Sequence, residues 1–252
     1  MVILCFLVVC AYVKAESAFS LNLKMDSAIS ALALGVFTSS LLIETRPSQV
    51  PASLSRADVN AFDRPLMVTR QDMALKRISD VTMVGLGFLP AVSLLGNFTV
   101  TTATTYLVMY SQAMLLAYGT RMLFKNNITR FRPYSHDGRA LGLNSRHDSF
   151  PSGHTCAAFL SASFFSTTFV LENPDSRWRW PAVIGSHALA ASVGVMRMMG
   201  GMHFLTDVLA GAAMGSFYGW LIPVLHLQRN RSGEHTFPLK LTGNSLLVSV
   251  SF

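Results

Sequence analysis

Charge is scarce in this 252-residue sequence, at 13% of residues, where a soluble domain carries about 25%. That shortage, with 51% hydrophobic residues and a mean hydropathy of +0.41, excludes an ordinary soluble globular domain. Cysteine is nearly absent, three in all, which excludes a disulfide-stapled scaffold, and the apolar content excludes a disordered chain. Acidic residues are outnumbered by basic ones, 13 to 20, but no run of Lys or Arg stands clear of the apolar segments. The excess suits loops beside anionic head groups, and no nucleic-acid partner is expected. What remains is the composition of an all-α fold, a polytopic membrane helix bundle.

Residues 1–15, MVILCFLVVCAYVKA, hold an apolar run from Val2 to Val13, too short to cross the roughly 30 Å hydrocarbon layer, and end on Val13-Lys14-Ala15. A signal peptide is expected, with a short retained anchor as the alternative. Cys5 and Cys10 fall within it, leaving Cys156 as a packing residue in an apolar helix. Six spans follow over roughly 27–43, 81–96, 100–120, 154–171, 181–200 and 203–225, the first of them marginal. Residues 44–80 read as a polar connection with a short surface helix near its end.

Gly211 and Gly215 give the last span a small-xxx-small face for close helix approach, and Trp178, Trp180, Tyr218 and Trp220 suit the head-group layer. From Thr236 to Phe252 apolar and polar residues alternate around Thr242-Gly243-Asn244-Ser245, which predicts a short β-hairpin. The expected plan is a signal peptide over 1–15, one membrane domain over 16–225 with its core at about 100–225, and a tail over 226–252.

Charged groups are costly among membrane helices, so those gathered at helix ends are functional candidates. Three clusters qualify: Lys125-x6-Arg132-Pro133 after the third span, Pro151-Ser152-Gly153-His154 at the head of the fourth, and Arg197-x5-His203-x3-Asp207 across the last turn. Lys125 and Arg132 supply positive charge, and a guanidinium can hold two phosphate oxygens. Pro151-Ser152-Gly153 breaks into a helix, leaving backbone N–H groups unpaired beside a Ser hydroxyl, an anion cradle. His203 and Asp207 are four apart, so the carboxylate can bond one imidazole nitrogen and leave the other free as an oriented nucleophile.

Gly200 and Gly201 interrupt the helix so that Arg197 and His203 converge, and His154 stands ready as an acid. Singly, a basic residue at a helix end is most often an anchor. Together, ten residues at these spacings arise by coincidence on the order of once in a million.

The three motifs resemble the signature of the type 2 phosphatidic acid phosphatase and vanadium haloperoxidase superfamily, and the six spans resemble its membrane branch, over about residues 100–225. The resemblance implies a metal-independent lipid phosphate phosphatase. His203 then attacks phosphorus to form a phosphohistidine, Asp207 orients it, and His154 protonates the leaving oxygen and later activates water. Lys125, Arg132, Ser152, Gly153 and Arg197 hold the phosphate. No metal and no cofactor is implied, and vanadate is expected to inhibit. Where the family usually places Ser before the arginine of its third motif this chain has Met196, expected to alter positioning or rate more than reaction type. The loop between Pro133 and Pro151, rich in charge, is expected to roof the site and select head groups.

Phosphatidic acid, phosphatidylglycerol phosphate, an isoprenyl diphosphate and a lipid A phosphate all fit such a site. The same residues serve a vanadate-dependent haloperoxidase, a phosphotransferase or a soluble acid phosphatase, and the fold alone serves a non-catalytic membrane protein. With six spans, the 44–80 connection and the motifs share a face carrying 13 Lys and Arg against 7 on the other, which points to the cytoplasm. Bacterial enzymes that the chain resembles often work on the outer side of the cytoplasmic membrane, and a periplasmic site is the expectation carried forward. The expected partners are a lipid phosphate substrate and membrane lipids, with the oligomeric state open.

Overall fold

The computed structural model describes residues 17–43, 51–95, 98–138 and 147–228. The expected signal peptide and the expected C-terminal hairpin lie outside the described residues. Within them the chain forms α1 (Leu23–Leu42), α2 (Met73–Gly87), a short α3 (Leu89–Val92), α4 (Val100–Asn127), α5 (Gly153–Glu172), α6 (Arg179–Met199) and α7 (Leu205–Leu225). Among the described residues there is no sheet, only isolated bridges between Phe19 and Leu227 and between Arg130 and Asp148.

Each expected span corresponds to a helix, with α2 and α3 together making the second. α1, α5, α6 and α7 are long and apolar enough to cross a membrane unaided. α2, at 15 residues, is about 22 Å long, short of the hydrocarbon layer. It begins two turns earlier than its apolar run because the Asp72 carboxylate caps it, accepting from Ala74 N–H at 2.8 Å and Leu75 N–H at 3.0 Å. Those polar first turns carry Asp80 into the bundle. α4 likewise runs past Thr120 to Asn127, carrying Arg121 and Lys125 on its last turns.

α5 is the centre. Of its apolar stretch 61% is buried, against 17% for α1, and Leu160 and Phe164 are fully enclosed. Large apolar side chains on the outer faces, among them Leu32, Ile184, Leu209 and Phe217, stay exposed, as lipid solvent requires. α5 and α7 touch backbone to backbone. A Cβ on Gly211 would stand 2.4 Å from the Ser152 carbonyl oxygen, and one on Gly215 would stand 2.1 Å from that of Cys156, so the expected small-residue face is in use. This contact brings the heads of both helices to one end of the bundle, where Ser152 N–H donates to the Asp207 carbonyl at 3.0 Å.

The connection ahead of α2 is not a free loop. Residues 51–72 form two 3-10 turns, Arg56–Asp58 and Arg64–Leu66, and lie across the same end. Asp72 N–H donates to Gly200 O at 3.3 Å, and Gly201, at φ +71°, fits beneath the Arg70 carbonyl, which a Cβ would meet at 2.7 Å. At the opposite end His226 Nε2 meets Asp26 Oδ1 at 2.7 Å and Ser17 Oγ donates to Glu172 Oε1 at 2.7 Å, closing α1 and its approach onto α7 and α5.

Candidate active site

His203 lies in the turn between α6 and α7 and is 4% exposed. Its Nδ1–H donates to the Ser149 carbonyl at 2.8 Å, which fixes the tautomer and leaves the Nε2 lone pair available. The Asp207 carboxylate is 3.6 Å from the same nitrogen, beyond hydrogen-bond range. The expected Asp207–His203 bond is therefore corrected to one step of remove. α7 starts at Leu205, so His203 precedes the helix and the face-sharing rule for residues four apart does not govern it. Asp207, fully buried, instead accepts from Ser149 Oγ at 2.6 Å and Phe204 N–H at 2.9 Å, bracing the very residue whose carbonyl holds His203.

Burial pushes the His203 imidazole down to about 4; Asp207 opposes this, while Arg132 and Arg197 reinforce it. At neutral pH His203 is an uncharged base.

The other oxygen of Asp207 belongs to Arg130, whose Nη1 donates to it at 2.5 Å and to Thr206 Oγ1 at 2.7 Å. Arg130 Nη2 reaches Asp63 Oδ2 at 2.5 Å. Asp63 is fully buried. Burial works against its ionisation, but bonds from Thr206 N–H, Asn60, the Thr206 hydroxyl and Arg130 prevail and hold its carboxyl below the usual range.

The first motif delivers two cations to one anion. Lys125 Nζ lies 3.1 Å from Asp148 Oδ2, and Arg132 Nε donates to Asp148 Oδ1 at 3.0 Å. Arg132 is 6% exposed, and its carbonyl accepts from His136 Nδ1 at 3.1 Å. At the head of α5, Ser152 serves as the N-cap: its hydroxyl bonds Thr155 Oγ1 at 2.9 Å and is wholly buried. The cradle at Gly153 therefore rests on backbone and on Arg121, whose guanidinium a Cβ on Gly153 would meet at 3.0 Å.

His154, one residue on, pairs through Nε2 with Asp80 Oδ1 at 2.8 Å, and the same oxygen accepts from Arg197 Nη1 at 2.9 Å. His203 feels the charges of Arg132 and Arg197, and His154 that of Arg197. The structure thus gathers Lys125, Arg132, Gly153, His154, Arg197, His203 and Asp207 at one end of the bundle, with the Ser152 hydroxyl turned into the helix cap. Met196 is half-buried one residue before Arg197.

Four participants go unnoticed in the motifs: Asp63, Asp80, Arg130 and the Ser149 carbonyl. A carboxylate at the head of an apolar run was a readable sign for Asp80. Arg130, two residues before Arg132, looks like one more loop cation, and a backbone carbonyl leaves no trace in side-chain patterns.

Residues 106–231, half of the chain, match the family model of the PAP2 superfamily. The chain belongs to that family. The match contains all three motifs, so Asp63 and Asp80 are brought to this PAP2 site from outside the matched stretch. The lipid A 1-phosphatase of Porphyromonas gingivalis is 36% identical over 97 residues, which are 38% of this chain. The chain spans 18% of the length of that relative. Among solved structures, the first transmembrane PAP2 type phosphatidylglycerolphosphate phosphatase from Bacillus subtilis is similar at 22% identity and a TM-score of 0.47, over 79% of this chain and 94% of that one.

Proposed function

We propose that this PAP2 protein is a metal-independent phosphatase of membrane lipid phosphates, acting through a phosphohistidine at His203. The observation that carries the reading is the His203 Nδ1–H bond to Ser149 O in a buried site, which leaves an uncharged Nε2 available as nucleophile near Arg132 and Arg197. In the first step the Nε2 lone pair forms a bond to phosphorus as the bond to the leaving oxygen breaks, and His154 gives that oxygen a proton. In the second, a water oxygen attacks phosphorus as the N–P bond breaks, the bonding pair returns to His203 Nε2, His154 takes the water proton, and phosphate departs. The cations stabilise charge on the phosphoryl oxygens in both steps.

Four helices able to cross a membrane, with the site at their ends, suit a substrate whose tail stays in lipid. Phosphatidic acid, phosphatidylglycerol phosphate, isoprenyl diphosphate and lipid A phosphates form the substrate panel. Phosphate release by detergent-purified protein in EDTA is expected to persist, to vanish in His203→Ala and to be blocked by vanadate. Loss in EDTA, or an unimpaired His203→Ala, would refute the mechanism.

The proposed location is the bacterial cytoplasmic membrane with the site facing the periplasm. Phe62 is 60% exposed on the segment that lies across the site, and Asp175 is exposed at the other end. With Cys5 and Cys10 replaced, an impermeant thiol reagent on intact cells is expected to label Phe62→Cys and not Asp175→Cys. The reverse pattern places the site in the cytoplasm.

A further inference from the structure

Arg121 is a cation that the fold buries without a carboxylate. It lies on α4 one turn before Lys125 and is 6% exposed. Its Nη2 donates to Met122 Sδ at 3.0 Å, and its guanidinium carbon lies 4.6 Å from the centre of the Tyr118 ring. Neither a thioether nor an aromatic face neutralises a charge, and among the described residues no acidic side chain pairs with Arg121. Asp148 is shared by Lys125 and Arg132. A buried cation left without an anion is strongly unfavourable, so its place in the fold calls for a counter-charge brought by a ligand.

The guanidinium faces the head of α5. A Cβ on Gly153 would stand 3.0 Å from Arg121 Nη1, 3.2 Å from Cζ and 3.3 Å from Nε, so the fork lies against the first residue of that helix. The Gly153 N–H is one of the donors that a helix start leaves unpaired, and it finds no acceptor among the described residues. The Ser152 hydroxyl, expected beside it as a phosphate ligand, is taken up by Thr155. Lys125, on the same face of α4, feels the charge of Arg121.

We propose that Arg121 is a further phosphate-holding residue, outside the three motifs, which with the Gly153 N–H and Lys125 binds oxygens of the lipid phosphate and takes its counter-charge from the substrate. The proposal rests on the phosphatase reading above. A guanidinium suits the place, because it stays charged when buried and presents its donors in a planar fork that matches phosphate oxygens. Without ligand the Arg121 charge weakens the fold that carries it. With phosphate bound, the same charge stabilises the complex, so one residue acts on stability and on binding with opposite signs.

The test measures binding of inorganic phosphate and of vanadate to the detergent-purified full chain by calorimetry, its thermal unfolding with and without each anion, and hydrolysis of a short-chain phosphatidic acid. Arg121→Met, apolar and unbranched, is expected to melt no lower than wild type without anion and to rise less when phosphate is added. It is expected to bind both anions about 10–100-fold more weakly. An Arg121→Met protein that binds both anions as tightly as wild type, or that folds but melts well below it without anion, overturns the proposal and makes Arg121 a structural residue. Should that variant not fold, Arg121→Lys, which keeps the charge and loses the fork, is expected to bind phosphate about tenfold more weakly, and unchanged binding overturns the proposal. Hydrolysis of phosphatidic acid by wild type that is undiminished in Arg121→Met overturns the proposal alone. A wild type that binds neither anion and hydrolyses nothing refutes the phosphatase reading itself, and the proposal with it.

Discussion

Arg130 lies between two buried carboxylates, donating from one terminal nitrogen to Asp207 and from the other to Asp63, each at 2.5 Å. Through it the segment ahead of α2 is tied to the head of α7, and the surroundings of His203 depend on a residue that no motif contains.

Replacing Arg130 by Met leaves both carboxylates buried without their cation. A loss of about 3–5 kcal/mol in stability is expected, with activity falling in step, because Asp207 then loses the charge that opposes it. Asp63→Asn, which keeps a hydrogen-bond acceptor for Thr206, is expected to lose less. Thermal unfolding in detergent ranks the two, and equal stability of Arg130→Met and wild type would contradict this account.

Asp80 touches His154 and Arg197 with one oxygen, and on the proposed mechanism its role is expected to show in the leaving group. In Asp80→Asn the acid is held less well, so turnover of an alkyl phosphomonoester is expected to fall about 10–100-fold. Hydrolysis of p-nitrophenyl phosphate, whose leaving group departs without a proton, is expected to fall far less. Asp80→Glu should recover part of the difference. A uniform loss on both substrates would assign Asp80 to structure instead.

His203 sets a pH dependence with a definite sign. Its folded pKa of about 4 lies below the ordinary 6.5, so between those values the unfolded chain binds a proton that the folded chain does not. Its contribution is fully present above about pH 6.5, is lost as pH falls toward about 4, and changes no further below that, by about 3 kcal/mol in all. Denaturation of wild type and His203→Gln over this range is expected to show a steeper acid loss in wild type. Parallel curves would contradict the assignment.

The α5–α7 contact leaves no room at Gly215. Gly215→Ala places a methyl group against the Cys156 carbonyl and is expected to cost about 1–3 kcal/mol or more, with activity reduced through misplacement of the helix heads. Gly185→Ala, where nothing lies within 4 Å, is the matched control and is expected to be neutral. Unfolding midpoints of the two variants check it.

The motifs were legible because phosphate chemistry at helix ends needs residue types that membrane helices otherwise avoid. Asp80 obeys the same rule, but beginning the second span at Val81 puts it in the loop, since hydropathy marks where a helix becomes apolar and not where its cap is. Asp72, the cap, locates the true start. Asp63 and Arg130 are different: no period or spacing links residues so far apart, and only the folded chain pairs them. The His203–Asp207 spacing misleads for a local reason, because His203 sits in the turn before α7 and an extended Phe204 separates it from the helix.

The interlocking of α5 and α7 has a mechanical consequence. α1 presents most of its length to the bilayer, while the helices that carry His154 and Asp207 are fixed to each other at backbone distance. The spacing between His154 and the head of α7 is then expected to hold whatever the acyl-chain length of the host membrane.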